Sequence, residues 1–261
     1  MKSKVIEKTT TVKYICKNFV SVPVLFNEKL VELEEYCLRE PWRHAFALWD
    51  LRKERENTDF YIYWEGRIRG YMLIYRGAAT PSVILQGTRN AVKELLNYFE
   101  EYKAIVHMPY QYRDMWRGKN RIYMVDVMVA RPQFYFLDPE VREIRDPHLL
   151  TRLFQNPEYL VKKALVYGII KNGFVVSTAS ALAYLPEIWV LGAVITKKEY
   201  RGRGFASRVV GHFMSIASKH TRKVVLWVRS DNYVAIKLYK KYGFEKMGED
   251  AWINVGVNVI P

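Results

Sequence analysis

The chain has 261 residues, of which half are hydrophobic and about a quarter are charged, as is typical of folded globular domains. No uncharged apolar run reaches the roughly 18 residues that cross a bilayer, and residues 1–14 lack the apolar segment of a secretory signal. Cys16 and Cys37 have neither a metal-binding nor a redox spacing. We therefore expect a cytoplasmic protein without a disulfide framework or a bound metal, with one large core or two smaller ones.

The net charge of +14 is concentrated in the second half of the chain. Residues 1–150 contain 24 Lys and Arg against 20 Asp and Glu, whereas residues 151–261 contain 17 against 7. Such a positive field attracts an anionic partner. Composition alone leaves three explanations open, namely a soluble surface, a nucleic acid or a phosphate-rich cofactor.

The hydrophobic pattern of the first half predicts two helices followed by a set of strands. A strand-like run covers residues 19–26, and apolar residues at helical spacing predict helices at 27–39 and 42–54. Thr88 is placed to cap a further helix at 88–101. Strands are predicted at 59–64, 68–76, 82–86, 103–107 and 121–130. This half contains no polar constellation of catalytic type.

The second half, from residue 137, alternates strands with helices. Asn172 and Gly173 predict a hairpin turn because both tolerate a positive φ, and Gly243 predicts the end of the last helix. Helices are predicted at 148–154, 157–164, 205–219 and 232–242. Strands are predicted at 165–170, 174–180, 188–196, 223–228, 244–248 and 251–259.

A glycine-rich turn joins a predicted strand to the long amphipathic helix of the second half. Gly202 and Gly204 carry no side chain, so backbone N–H groups can approach a ligand closely. The first amides of the helix lack intrahelical partners, and with the helix dipole they form an anion site suited to a pyrophosphate. Arg201 and Arg203 add positive charge. The turn is neither a P-loop nor a clean GxGxxG pattern, and a plain strand–turn–helix connection is the alternative.

Two motifs in this region resemble those of the GCN5-related N-acetyltransferase (GNAT) superfamily. The turn reads Arg201-x-x-Gly204-x-Ala206, which is similar to the acetyl-CoA signature Gln/Arg-x-x-Gly-x-Gly/Ala. The second motif follows downstream as Asn232-x-x-Ala235-x-x-Leu238-Tyr239-x-x-x-Gly243-Phe244. The two motifs occur in the family's order, each after a predicted strand.

Within the superfamily, residues 192–207 look most like the FR47-like branch. They depart from its usual form by Ile195 in place of an aromatic residue and by Lys197-Lys198 in place of two prolines. The resemblance covers roughly residues 140–256, and residues 1–135 only loosely resemble the degenerate N-terminal half of FR47-like proteins.

The resemblance implies an α+β GNAT fold, with a mixed, mostly antiparallel twisted sheet flanked by helices. It also implies a catalytic domain at 137–261 that binds acetyl-CoA. Residues 1–136 are then a degenerate GNAT-like or acceptor-shaping domain. The order of elements in residues 59–107 resembles that in 165–228, which is compatible with a duplication.

The resemblance further implies acetyl-CoA as the acyl donor. The strand through Val194, Ile195 and Thr196 would splay from the strand at 223–228, and pantetheine would lie between them. The amide of Val194 or a neighbour would polarise the thioester carbonyl. Asn232, with Ala235 in the same motif, would contact the pantetheine arm, although Asn232 is equally suited to be a helix N-cap. The pyrophosphate would be held by Arg201, Gly202, Arg203, Gly204, Phe205, Ala206 and Ser207.

Proton transfer needs an acid and a base. Tyr239 of the second motif is implied as the general acid that protonates the leaving thiolate, a packed aromatic residue being the alternative. In some family members a glutamate sits eleven residues before the first motif residue, but that position here is Val190. The nearest carboxylate, Glu187, is the candidate base, although strand alternation points it to the other face unless a bulge intervenes. Base catalysis by water is a further alternative.

The expected function is therefore an N-acetyltransferase that moves an acetyl group directly from acetyl-CoA to an amine. The alternative is a non-catalytic CoA-binding or sensor protein. The missing carboxylate at position 190 favours this alternative, whereas the presence of Tyr239 argues against it. A nucleic-acid-binding module is less expected, because the basic residues do not form a stripe interleaved with aromatics. The acceptor stays open between a protein N-terminus, a lysine, a polyamine, an amino acid and an antibiotic. No membrane partner is expected, and the oligomeric state is open.

Overall fold

The computed structural model describes residues 24–100 and 103–257. These residues form a twelve-stranded sheet with helices on both faces. The strands are β1 Val24–Phe26, β2 Thr58–Trp64, β3 Ile68–Tyr75, β4 Ser82–Gly87, β5 Ala104–Pro109, β6 Ile122–Ala130, β7 Val141–Glu143, β8 Leu165–Lys171, β9 Phe174–Tyr184, β10 Trp189–Thr196, β11 Val224–Arg229 and β12 Glu245–Val255. The helices are α1 Leu30–Leu38, α2 Ala45–Lys53, α3 Arg89–Leu95, α4 Pro157–Lys163, α5 Phe205–Ala217 and α6 Tyr233–Lys241.

Local chemistry accounts for several of these boundaries. The Thr88 side chain accepts a hydrogen bond from the Ala91 amide and so caps α3, as predicted. Asn172 and Gly173 both have a positive φ, which confirms the predicted hairpin between β8 and β9. Gly243 has a φ of 77° directly after the last turn of α6.

The predicted α+β sheet flanked by helices is confirmed, but some element predictions were wrong. Residues 244–248 and 251–259 were predicted as two strands, whereas β12 is continuous and absorbs an irregular register between Lys246 and Gly248. Residues 148–154 contain only a short 3₁₀ turn, Pro147–Leu150. The short strand β7 was missed. Part of the strand-like run at 19–26 and the end of the run at 251–259 lie outside the described residues.

The sheet has an approximate internal symmetry. Its strand order is β1-β2-β3-β4-β5-β12-β6-β11-β10-β9-β8-β7. In each half, three antiparallel strands lead to a parallel pair that is joined through a helix, namely β4-α3-β5 and β10-α5-β11. This repeated arrangement supports the duplication considered from the order of elements.

The two halves exchange their final strands. Strand β6 pairs with β11 of the second half, and β12 pairs with β5 of the first half. The exchange makes one continuous sheet, so each half contributes a strand to the other. The division at residues 136 and 137 remains a prediction of domain organisation.

Hydrophobic residues on the two faces of the sheet pack into separate clusters. The α5–α6 face contains Leu191 and Leu226, together with most of α5. The opposite face contains Val190 and Val225, which pack with α1 and α2. Because neighbouring strand residues point to opposite faces, β10 and β11 present one side chain to α5 and the next to α2.

A partly buried ion pair fastens α5 to the segment before β7. The guanidinium of Arg208 donates to both carboxylate oxygens of Asp138 at 2.6 and 2.8 Å, and the Asp138 side chain is only 8% exposed. The hydrogen bonds from Arg208 lower the pKa of Asp138, against the effect of burial. The pair therefore stabilises the fold above the unfolded pKa of an aspartate, and this stabilisation is lost as the pH falls through the lowered value.

Arg208→Ala is expected to reduce the free energy of unfolding at pH 7 by about 2 kcal/mol, because it leaves a nearly buried carboxylate without its cation. The effect should shrink at pH 3, and urea titrations at both pH values measure it. The matched control is Arg145→Ala, since Arg145 binds the Glu143 carboxylate through two nitrogens, as Arg208 binds Asp138, but is 83% exposed. Arg208 differs further in pairing with the exposed Glu140 as well. Equal destabilisation by both variants would show that burial of Asp138 is not what matters.

Candidate functional site

Strands β10 and β11 diverge after two paired residues. They pair in parallel at Trp189–Val224 and Val190–Val225, and the described residues show no further pairing between them. The register of β10 on β9 also shifts between Gly192 and Ile195. We call the space between the diverging strands the gap. It is the splay that was predicted between Val194–Thr196 and the strand at 223–228.

A backbone distortion in β10 lies directly at the gap. Ala193 has a φ of 49°, which is uncommon for a residue with a side chain. Its carbonyl oxygen accepts a hydrogen bond from the Thr178 hydroxyl at 2.7 Å, so β9 stabilises the distortion. The β11 side of residues 192–194 has no strand partner, which leaves the main chain there free to pair with a ligand.

The glycine turn between β10 and α5 has the conformation that only glycine adopts easily. Gly202 and Gly204 have φ values of 72° and 79°, and a Cβ at either position would point into open space. Gly204 is the N-cap of α5, and it provides no side-chain hydrogen bond to the first turn. Arg201 donates from Nε to the Thr196 carbonyl oxygen at 3.0 Å, and Arg203 lies over the ring of Tyr200.

The first turn of α5 is partly core and partly attached to α6. Phe205 is buried in the cluster of the α5–α6 face. The Ser207 hydroxyl lies 2.8 Å from the Tyr242 hydroxyl and accepts from Lys241 Nζ at 2.8 Å. These contacts occupy the Ser207 side chain, so any contact of Ser207 with an anion would come from its backbone N–H. The backbone of Ala206 lies between these two anchored residues.

Of the two roles predicted for Asn232, the structure shows that of a helix N-cap. Its Oδ1 accepts a hydrogen bond from the Ala235 amide at 3.2 Å and caps α6. The cap places α6 so that Tyr239 enters the hydrophobic cluster of the α5–α6 face. The Tyr239 ring packs edge-on against Phe244, and 8% of the residue is exposed. Burial raises the pKa of Tyr239 to about 12, which keeps its phenol protonated at neutral pH.

Glu187 is not brought together with the other predicted site residues. It lies before the paired end of β10, whereas the strands diverge only after Val190. Both of its carboxylate oxygens accept from Arg52 Nη1 at 3.2 Å, and Arg52 also binds Glu34. The structure therefore gives Glu187 the contacts of a surface ion pair that joins β10 to α1 and α2.

A cavity of about 420 Å³ lies on the face of the sheet that packs against α2. We call it the central cavity. At one end it reaches Gly192 and Ala193 at the gap, and from there it extends to strands β3, β4 and β5 of the first half. Its aromatic wall includes Phe46, Trp49, Tyr71, Tyr75, Trp227 and Trp252.

The first half supplies polar groups to this cavity, although its sequence shows no polar constellation of catalytic type. His44, Asp50 and Glu54 line the cavity from in and around α2, and His107 lines it from β5. They were missed because they are far apart in the sequence and meet only in three dimensions. A charged residue inside an apolar run, such as Asp50 in Ala-Leu-Trp-Asp-Leu, is the local signal that points to them.

Asp250 of β12 is linked to the gap through Trp227, and both residues line the central cavity. Trp227 lies two residues beyond Val225, on the β11 side of the gap, and it lines the central cavity together with Gly192. Trp227 Nε1 donates to Asp250 Oδ2 at 2.8 Å. Burial raises the pKa of Asp250 to about 6, and the hydrogen bond from Trp227 and the charge of Arg43 act against that rise.

The other ionisable groups of the cavity are neutralised in different ways. Burial and the charge of Glu54 raise the pKa of Asp50 well above its usual range. Burial also opposes ionisation of Glu54. Lys163 Nζ donates to both Glu54 carboxylate oxygens at 2.6 and 2.8 Å, and these bonds outweigh burial, so the pKa of Glu54 is lowered. Burial lowers the pKa of His44 to about 3 and that of His107 to about 4, so both imidazoles are neutral.

Comparison with known proteins finds a family match in the C-terminal half. Residues 166–253, which run from β8 to near the end of β12, match the model of the FR47-like protein family. The matched third of the chain is therefore similar to the FR47-like family, and its fold is that of GCN5-related N-acetyltransferase-like structures. The matched region contains the gap, the glycine turn, Tyr239 and Asp250.

The relatives differ in how much they share with this chain. A mycothiol acetyltransferase from Mycolicibacterium vanbaalenii is 38% identical over 72 residues, which is 26% of this chain and 24% of that protein. The chain thus spans about a quarter of the curated relative that it matches.

Two solved structures share the fold over most of the chain. A Drosophila protein matches with a TM-score of 0.69 and 16% identity over 89% of this chain and 97% of its own. A GCN5-related N-acetyltransferase-like protein from Streptococcus suis matches with a TM-score of 0.61 and 17% identity. The match covers 86% of this chain and 99% of that protein. At such low identity these two structures show the fold alone. No helix in the described parts of this chain is long and apolar enough to cross a membrane.

Proposed function

We propose that this protein is an N-acetyltransferase that transfers an acetyl group directly from acetyl-CoA to an amine. The observation that carries the proposal is the gap between β10 and β11. The glycine turn and Tyr239 belong to the α5–α6 side of the sheet, and the central cavity lies on the α2 side. A donor and an acceptor on opposite faces can therefore meet only where the sheet opens.

The residues around the gap fit acetyl-CoA. The turn from Arg201 to Gly204 leads into uncapped amides of Phe205, Ala206 and Ser207, which suit a pyrophosphate. The free β11 side of Val194, Ile195 and Thr196 suits the amide-bearing pantetheine arm, with Asn232 and Ala235 beside it. When bound, acetyl-CoA supplies an acetyl group activated as a thioester.

The chain's own groups then have distinct tasks. A backbone N–H at the Ala193 distortion, that of Val194 in our assignment, donates a hydrogen bond to the thioester carbonyl oxygen. Tyr239, protonated because of its raised pKa, gives a proton to the departing sulfur. The predicted N-terminal domain, residues 1–136, shapes the acceptor site through α2 and strands β3 to β5.

The proposal is tested by measuring amine-dependent release of CoA thiol, with mass spectrometry of the amine. A panel of small primary amines should contain members that release thiol and gain one acetyl group each. Tight acetyl-CoA binding without transfer to any amine, peptide or protein N-terminus would instead favour the non-catalytic CoA-binding alternative. The cytoplasmic location expected from the sequence remains a prediction.

A further inference from the structure

The central cavity has the size and lining of a small-molecule site. Its volume of about 420 Å³ lies within the roughly 300–1,000 Å³ of such pockets. Its walls come from both halves of the chain and from α2 and α4. Helix α4 closes on β3, where the Tyr75 and Tyr159 hydroxyls lie 2.9 Å apart, and on the end of α2, where Lys163 binds Glu54. A peptide segment would need an open groove, and these contacts close one side of the cavity.

The aromatic side chains of the cavity favour an apolar body for the occupant. Trp227 and Trp252 stand on the central strands, and Phe46, Trp49 and Tyr71 face them from α2 and β3. The Phe46 and Trp227 ring centroids lie 5.5 Å apart, so the wall is packed close to the gap. Aromatic faces attract both apolar groups and cations.

Asp250 is an acidic group in this cavity without a cationic partner in contact. The residue is 7% exposed, its side chain accepts a hydrogen bond from the neutral Trp227 indole, and the charge of Arg43 acts on it from beyond ion-pair distance. No Lys or Arg among the described residues forms an ion pair with it, in contrast to Glu54 with Lys163. A buried carboxylate is stabilised when a cation enters beside it.

Resting on the proposed function, we propose that the acceptor is a small monoamine with an aromatic or branched aliphatic body. Its ammonium group binds to Asp250 at the gap, and Asp250 is the general base. The body of the amine lies among the aromatic walls toward the first half of the chain. Asp250 thus takes the role that the sequence assigned to Glu187.

The proton balance of this step is complete. The Asp250 carboxylate accepts one proton from the ammonium group and passes it to solvent. The neutral nitrogen forms a bond to the carbonyl carbon as the carbon–sulfur bond breaks. Tyr239 protonates the sulfur. The nitrogen loses a second proton when it becomes an amide nitrogen, and this proton restores the Tyr239 hydroxyl. One proton is released for each acetyl group transferred.

The pH dependence of amine binding follows from the same groups. Asp250 is ionised above its pKa of about 6, so ammonium binding should weaken as the pH falls through 6. An alkyl ammonium group resembles that of lysine and stays protonated across this range. The other charged or titratable groups that face the cavity are Arg43, His44, Asp50, Glu54, Tyr71, Tyr75, His107, Tyr159 and Lys163. The two histidines have pKa values below the range, so they do not titrate in it.

The test uses phenethylamine as the probe and the full chain without acetyl-CoA. Binding is followed by calorimetry and by fluorescence of the cavity tryptophans, from pH 7.5 to 5. Wild type should bind phenethylamine more tightly than spermidine, and the binding should weaken below pH 6. Asp250→Asn should weaken binding about tenfold or more, because a hydrogen bond to a charged partner is lost. It should lower kcat/KM about 100-fold, as expected for loss of a general base, and leave acetyl-CoA affinity unchanged.

The matched control is Glu249→Gln, the exposed neighbour on the same strand, which forms an ion pair with Lys246. It should change neither amine binding nor turnover. Amine binding that is independent of pH in wild type, or tighter for spermidine, would overturn the proposal even if Asp250→Asn failed to fold. Loss of turnover in Glu187→Gln with full turnover in Asp250→Asn would overturn the assignment of the base. A wild type that does not bind acetyl-CoA would instead defeat the proposed function.

Discussion

Replacing both Gly202 and Gly204 with valine is expected to weaken acetyl-CoA binding severely. Each residue has a positive φ, where a β-branched side chain costs about 1–2 kcal/mol. Two such costs correspond to a loss of affinity of roughly 30- to 1,000-fold. The backbone of the turn can avoid this strain only by adopting another conformation. In that conformation the uncapped amides of α5 would point away from the pyrophosphate.

The control for this double variant is Gly173→Val in the β8–β9 hairpin. Gly173 has a φ of 76° and equally open space around it, so the backbone strain is matched away from the site. It should lower thermal stability and leave the dissociation constant for acetyl-CoA unchanged. Retained affinity in the double variant, measured by calorimetry, would refute the assignment of the turn to the pyrophosphate.

Tyr239→Phe is expected to lower kcat about 100-fold, as for loss of a general acid, while acetyl-CoA affinity changes little. The variant removes only the hydroxyl, so the ring contact with Phe244 remains. No described residue donates to or accepts from this hydroxyl, and its loss therefore leaves no buried group unpaired. Stopped-flow or steady-state thiol release gives kcat, and calorimetry gives the dissociation constant.

Tyr167→Phe is the matched control for Tyr239→Phe. Tyr167 is also a buried tyrosine of the α5–α6 cluster, packed against Phe213, but it lies on β8 away from the gap. Its variant should retain wild-type turnover. If Tyr239→Phe also turns over at the wild-type rate, Tyr239 is a packed aromatic residue and solvent protonates the sulfur.

Local patterns in the sequence were sufficient for the parts of the site that depend on neighbouring residues. Gly202 and Gly204 marked the turn because their φ values are a local requirement, and Asn232 marked the start of α6 because it caps that helix. The periodicity of apolar residues likewise predicted most strands within one or two residues. These features need no knowledge of what lies across the sheet.

The long-range features could not be obtained in this way. The exchange of β6 and β12 depends on pairing between strands more than a hundred residues apart, such as Ile122 with Ile253. The central cavity depends on that exchange, because it brings Asp250 beside Trp227 and α2. Spacing along β10 drew attention to Glu187, which is near Val190 in sequence but belongs to the end of the strand where β11 is still paired.

The most direct test of the central claim is calorimetric titration of the unmodified protein with acetyl-CoA. The gap, the uncapped start of α5 and the glycine turn predict binding to a single site with a dissociation constant in the micromolar range. Absence of heat at millimolar acetyl-CoA would contradict the account, because it would mean that the fold is retained without the cofactor chemistry on which every assigned role depends.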